Sequence, residues 1–318
     1  MTVLRQLPVR LAAAWNGFFH GPLDLRVCAL VRIAYAALVL IWLAVFYPDL
    51  ARWFSEDGVF PLIVARKAMP GGAWTVLALL PPGNFWLTAA WAMAFVQALL
   101  LLVGFGSRLN AAAVFVWVVS FANRNALILD AEDTVFRLIG FYLILMPCGA
   151  CWSVDGWIRS RNTGPYGTRS VPATVAPAWG LRLLQIQMCV IFLSAALCKL
   201  QSAAWRDGTA MYYVARLDDY FGRFPTPDVL WQTPWIVALI TWVTIAVEFA
   251  IPLAIWWPRA RRWALVAALL FHLANEYTMH LFLFHWIMLA GWASFLCGDD
   301  LDAIGRWCSQ RGPAGRAS

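Results

Sequence analysis

Charge is what this 318-residue chain has least of: charged residues make up 13% of it and hydrophobic residues 62%. An ordinary soluble domain carries about 25% charged residues. The shortage excludes a soluble globular protein. No stretch is polar enough over a useful length to form a separate soluble domain. Zinc-ligand spacings, a phosphate-cradling glycine loop and a serine-hydrolase elbow are all missing, so no metal is expected and no nucleotide or serine-hydrolase chemistry follows. Internal repeats of the kind that build inverted-repeat transporters are not readable, which weighs against transport. The seven cysteines are scattered, and only Cys148 and Cys151 form a C-x-x-C pair. That pair falls at the inner end of an expected span, away from the outer polar groups described below, so a redox role is disfavoured. No A-x-A-type cleavage site precedes a polar start. Segment 1–20, with Arg5, Arg10, Trp15, Phe18 and Phe19, therefore reads as an interfacial amphipathic helix rather than a cleaved signal.

Long apolar runs are what the chain has in their place. A bilayer core ~30 Å thick needs about 20 apolar residues in a helix. Eight candidate runs can be read, at about 27–47, 85–105, 109–124, 134–151, 182–200, 234–257, 262–277 and 280–297, of which the third and seventh are short. The expected fold is an all-α polytopic membrane protein, with about eight transmembrane helices after the N-terminal interfacial helix. Residues 21–300 form a single transmembrane domain, and 301–318 a disordered cytoplasmic tail. With the N-terminus inside, the inner segments hold twice as many basic residues as the outer ones, so both termini are expected in the cytoplasm of a cell-membrane protein. The net charge of +7 is then topology, and the partner it implies is the lipid bilayer, not nucleic acid. The inner loop 152–181 is rich in Gly, Pro, Ser and Thr and reads as a flexible linker. The outer loops 48–84 and 201–233 carry more aromatics and acids, and loops this long are often functional.

Charged groups at membrane depth cost about 2.5–3.5 kcal/mol each and need a reason. Arg32, near the inner end of the first span, and Glu248, near the middle of the sixth, are expected to form a structural pair. A second group collects at outer depth: Asn123 and Arg124 at the end of span three, Arg137 in span four, Lys199 at the end of span five, and His272 and Asn275 in span seven. Several helix ends bringing base, acid and amide groups to one depth is the form of a site. Each member also has a plain reading. Lys199 and Arg137 can snorkel, His272 can be a buried hydrogen-bonding histidine, His280 and His285 can line the last helix, and Asp130, Glu132 and Asp133 can cap span four. Gln185, Met188, Phe192, Ala195 and Lys199 fall on one helical stripe, beside the small residues Ser194, Ala195 and Ala196, which let another helix come close. A lysine on such a face is partly desolvated, which favours a neutral amine able to accept a proton. Lys199 and His272 are the candidate catalytic residues. Asn123, Arg124, Asp133, Arg137, Trp205, Asp207 and Asn275 are candidates for substrate binding.

The stretch "FLSAALCKLQSAAWRDGTAMYYV" resembles the vitamin K-dependent γ-glutamyl carboxylases and their short bacterial relatives, the horizontally transferred transmembrane (HTTM) domain family. "LVRIAYAALVL", "DLARWFSEDGVFP", "ANRNALILDAEDTVFRLIGFYLILMP", "CWSVDGW" and "FHLANE" add to the resemblance, in order, from about residue 24 to 297. It implies that Lys199 stands where the carboxylases keep the lysine that deprotonates vitamin K hydroquinone. A reduced quinone would then be the cofactor, with O2 and CO2 if glutamate is carboxylated, and His272 and Asn275 match the late histidine and asparagine. Two departures stand out. The carboxylases carry a functional histidine at the start of the span-four region, where this chain has Asp130, Glu132, Asp133 and Thr134, and their large lumenal domain has no counterpart within 318 residues. The short relatives include a branch that works with partner proteins in maturing a secreted sporulation-delaying peptide. The resemblance therefore implies either base chemistry on a quinol or an extracytoplasmic peptide, or a non-enzymatic role beside a small secreted peptide.

Overall fold

The apolar runs fold as helices in a computed structural model that describes residues 2–69, 71–161, 175–177 and 179–311. In chain order these are α1 (Thr2–His20), α2 (Leu25–Phe46), α3 (Asn84–Val103), α4 (Ser107–Arg124), α5 (Ala131–Leu145), α6 (Val154–Arg161), α7 (Trp179–Gln201), α8 (Pro234–Ala254), α9 (Pro258–Thr278), α10 (Phe284–Trp292) and α11 (Gly298–Arg311). Short helical turns lie between them. The sheet among the described residues is a two-stranded antiparallel ribbon of β1 (Pro22–Asp24) and β2 (Val175–Pro177), with Leu23 opposite Ala176. Of the expected linker, residues 162–174 lie outside the described residues.

Four segments are long and apolar enough to cross a membrane by length and composition: Leu25–Phe54, Asn84–Val103, Trp179–Gln201 and Pro234–Ala254. The other four expected spans are also helical, but each falls short for a readable reason. At ~1.5 Å per residue, α5 has only 15 residues and α10 only 9. Helix α4 carries Arg108, Asn110, Asn123 and Arg124, and α9 opens on Arg259, Arg261 and Arg262. The chain is thus an all-α membrane-type protein.

Two compact units divide it. One comprises the residues up to Leu183 together with those after Phe295, and the other is Leu184–Phe295. In the first unit, Trp42 packs edge-on against Phe121 at 6.2 Å, and Tyr35 meets Phe136 at 6.0 Å. Arg32 is fully buried there. Its guanidinium donates to the carbonyl of Cys148 at 2.7 Å and to that of Trp152 at 2.5 Å, where the chain turns out of α5. Gly104 ends α3 in the left-handed region at φ 73°, and a Cβ there would lie 2.5 Å from Arg32 Nη1. Only glycine meets both demands.

Helix α4 begins on a borrowed cap. The Asp155 carboxylate accepts the Gly106 N–H at 2.7 Å, the Ser107 N–H at 2.8 Å and the Ser107 hydroxyl at 2.7 Å. Burial works against its charge, but these hydrogen bonds outweigh that and hold its pKa below the usual carboxylate value. Helix α5 carries its own cap, in which Asp130 Oδ1 accepts the Ala131 N–H and Asp133 Oδ2 accepts the Asp130 N–H, both at 2.8 Å.

Residues 301–311, expected as a disordered tail, continue α11, whereas 312–318 lie outside the described residues. Acidic Asp299 and Asp300 sit in the first turn of α11, where they complement the helix dipole. Asp300 also accepts the Cys297 N–H at 3.0 Å. Arg26 then ties α11 to the start of α2, reaching Asp302 at 2.5 Å and Asp24 at 2.7 Å.

The second unit is built from α7 beyond Leu183, α8, α9, α10 and the loop after α7. That loop forms two short helices, Ala203–Arg206 and Ala210–Val214, and then crosses the end of α9. There Gly222 N–H donates to Thr278 O at 2.8 Å, and Tyr220 O accepts from His280 N–H at 2.8 Å. Gly291 of α10 lies against Met188 of α7 so closely that a Cβ would sit 2.4 Å from its sulfur. Pro252 stands inside α8; having no N–H, it leaves the carbonyl of Glu248 without its helical donor.

Candidate acid–base site

Helix α8 holds one charged residue in 21, Glu248. Lys199 lies in the last turn of α7. The lysine Nζ donates to both carboxylate oxygens, at 2.6 Å to Oε1 and 2.9 Å to Oε2. The glutamate side chain is 7% exposed and the lysine side chain 24%. Nζ also stands 5.3 Å from the ring centroid of Trp205, within cation–π range. This corrects the expected Arg32–Glu248 pair, since Arg32 donates to carbonyls of its own unit and Glu248 accepts from Lys199. The reason is chemical fit. A guanidinium buried among freed carbonyls spends its planar donors on them, while a two-oxygen acceptor on an apolar helix takes the nearest ammonium.

The pair opens on a cavity of about 240 Å³ whose lining includes Phe192, Ala195, Met211, Phe271, Asn275 and Met288. His272 and His285 line it too. The two rings face each other edge to edge with Nδ1 to Nδ1 at 3.2 Å, 1% and 3% exposed. Phe192 packs edge-on near the first of them at 5.7 Å, and Trp292 backs Phe192 at 4.8 Å. Both Nε2 atoms are buried with no hydrogen-bond partner. Asn275 turns its amide back to the Phe271 carbonyl at 2.8 Å. Of the predicted stripe, Phe192, Ala195 and Lys199 line this cavity, with His272, Asn275 and Trp205 on its other walls, whereas Gln185 donates to the Ser294 carbonyl at 2.7 Å and Met188 lies against Gly291. The sequence reading missed Glu248 as the partner of Lys199 and His285 as the partner of His272. A signal for the latter exists in the repeated Phe-His dipeptide at 271–272 and 284–285.

Other predicted residues stand elsewhere. Asp207 accepts from the Thr209 N–H at 3.0 Å and from its hydroxyl at 2.6 Å. It lines a different, wider cavity of about 600 Å³ with Tyr212, Tyr213 and Trp235. In the first unit, Arg124 is 2% exposed and donates to the carbonyls of Phe60 at 2.7 Å and Ser55 at 3.0 Å. Asn123 donates to Trp74 O at 2.8 Å. These two fasten the loop between α2 and α3 to the end of α4. Asp133 is the capping residue described above. Arg137 folds back on its own helix, donating to Asp133 O at 3.1 Å and to the Thr134 hydroxyl at 3.1 Å. Among the described residues no cluster of three or more His, Cys, Asp or Glu could hold a metal ion.

Comparison with known proteins agrees with the helical membrane architecture. The chain is 27% identical over 219 residues to the sporulation-delaying protein SdpB of Bacillus subtilis (strain 168), a match covering 66% of this chain and 65% of SdpB. It is 26% identical over 175 residues to YitO of the same organism, covering 53% of this chain and 54% of YitO. The chain therefore spans between about half and two thirds of the length of these relatives. No solved structure matches it. The HTTM domain model matches residues 73–299, most of the chain and all of the cavity's lining, and on that match the protein belongs to the HTTM domain family.

Proposed function

We propose that the second unit carries an acid–base site that removes a proton from a hydroxyl-bearing substrate within the membrane, in the service of modifying or maturing an extracytoplasmic peptide. The carrying observation is the Lys199–Glu248 pair set in a mainly apolar cavity with two partnered histidines. Four ionisable groups at membrane depth cost too much for packing alone. The four long apolar segments serve as spans in this reading, with the site toward the outer face. A passage of the proton along the 2.6 Å contact from Nζ to Oε1 leaves a neutral amine, the form that can take a proton from a substrate hydroxyl. The apolar side chains of Phe192, Phe271 and Met288 beside it limit the competition from bulk water.

A reduced quinone fits the residues present, because the cavity wall is largely apolar and the two rings on it keep unpartnered imidazole nitrogens for a ring hydroxyl and its oxygen. Bound there, it would supply an acidic hydroxyl and, with O2 and CO2, the chemistry of the carboxylase relatives. The histidine of those enzymes near span four has no substitute in Asp130, Glu132 or Asp133, of which Asp130 and Asp133 are taken up in capping. Glutamate carboxylation is therefore the narrower form of the proposal. The test is oxygen-dependent turnover of a reduced naphthoquinone by the purified full chain in nanodiscs. Turnover in the wild type that is lost in folded Lys199→Ala supports the reading; equal rates in both, or none in either, overturn it.

A second reading, a partner that holds a small secreted peptide, is favoured by the similarity to SdpB and by the aromatic cavity lined by Tyr212, Tyr213 and Trp235. Co-purification of a peptide that is lost in Trp235→Ala supports it.

A further inference from the structure

A hydrogen bond between two imidazole Nδ1 atoms requires one proton between them. With none, two lone pairs oppose each other; with two, both hydrogens collide. At 3.2 Å the His272 and His285 rings are therefore in unlike states. The ring that donates has a bare Nε2, and in the neutral pair the ring that accepts carries its proton on Nε2. A purely structural pair in a core would also satisfy its outer nitrogens, since a buried polar atom left without a partner costs about 1–3 kcal/mol. Here both outer nitrogens lack partners, and both rings line the cavity that holds Lys199 and Glu248. The dyad thus keeps one acceptor and one donor unspent on two rings that line that cavity.

We infer that His272 and His285 work as one proton-passing unit, in which His285 sets the protonation state of His272 and carries its proton onward. A proton taken up at the bare Nε2 gives a cationic pair. The shared hydrogen then shifts from one Nδ1 to the other, and the second ring releases the hydrogen on its own Nε2. One proton enters and one leaves, both rings end neutral, and their tautomers have exchanged. The unit is consequently reset only by a proton moving the opposite way. It suits a reaction in which a proton is withdrawn from a substrate and later returned, on a neutral ligand whose polar group both donates and accepts, such as a hydroxyl. The repeated Phe-His dipeptide is the one trace of the pairing in the sequence, and the assignment rests on the acid–base reading of the cavity for its catalytic meaning only.

The test uses the full chain labelled with 15N-histidine, which carries four histidines, His20, His272, His280 and His285. Long-range proton–nitrogen correlation reads the tautomer of each ring. The expected result is one ring protonated on Nδ1 alone, another on Nε2 alone, and a coupling through the hydrogen bond between their two Nδ1 atoms. Two rings both protonated on Nε2, with no coupling, would overturn the proposal. His285→Phe should abolish the coupling and return His272 to the common Nε2–H form. Should that variant not fold, His285→Gln keeps a group that can hold His272 in place yet cannot hand on a proton. A tenfold or greater loss of naphthoquinone turnover in folded His285→Gln supports the relay, and full turnover refutes it. Lys199→Ala leaves the coupling intact, so failure of the acid–base reading is told apart from failure of the dyad.

Discussion

At the scale of single residues, the Lys199–Glu248 contact separates what stabilises the protein from what it does. Removing one partner of a buried ion pair strands the other charge and typically costs about 3–5 kcal/mol, whereas replacing both with apolar residues of similar volume is often neutral. Lys199→Met alone is thus expected to lower the thermal midpoint in detergent by several degrees. Lys199→Met with Glu248→Leu should recover most of it while remaining inactive, and thermal melts beside turnover of both variants check this. The sequence marked Lys199 through its position at the end of an apolar run and through the stripe it shares with Phe192 and Ala195. It did not mark the partner. Depth along a helix follows from residue count, but which helices are neighbours does not, so Glu248 was matched to the wrong cation. His285 was passed over for the same reason, because its meaning lies in a ring on another helix.

At the scale of elements, caps borrowed from afar decide where helices begin and end. Asp155 holds the first turn of α4 from 48 residues away, so Asp155→Asn should cost about 1–2 kcal/mol, in the range of lost caps. Its pKa is lowered in the fold. Its contribution is therefore present above the usual carboxylate pKa and lost as pH falls through the folded value. The stability gap between wild type and Asp155→Asn, followed by melts from pH 7 down to pH 3, should close toward acid. A second element-level prediction concerns Gly104. Its left-handed backbone and the nearness of Arg32 Nη1 make Gly104→Ala destabilising by about 2 kcal/mol or more, measurable as a fall in folded yield. Elements of this kind differ in how readable they are. The Asp130–Asp133 box lies within four residues and is visible in the sequence, and the apolar runs give the long helices to within a few residues. Helix α11 was not visible, because its order depends on Asp302 meeting Arg26 from the far end of the chain.

At the scale of the whole molecule, Arg26 and Arg124 are among the residues that join distant chain segments within the first unit. Asp302 is held below its normal pKa by its hydrogen bond to Arg26, and Arg26→Ala removes both carboxylate contacts at once. Limited proteolysis should then cut between Phe295 and Trp307 at sites protected in the wild type. Arg124→Ala should likewise open the loop between α2 and α3, since it releases the Phe60 and Ser55 carbonyls together. Such a composition also dictates handling: large aromatic residues such as Trp86, Trp235 and Trp263 are exposed, as lipid-facing residues are, and the chain should need detergent to stay dispersed.

The pairing of Lys199 with Glu248 has one more consequence, for how the cavity responds to an energised membrane. An unpaired charge moving across the full bilayer feels about 2.3 kcal/mol for each 100 mV. A cation and an anion bound 2.6 Å apart have no net charge, so the voltage does no work on them as a unit. The folded protein should therefore resist proteolysis equally in polarised and depolarised vesicles, whereas Glu248→Gln, which leaves a lone ammonium at the same depth, should make that resistance depend on the voltage.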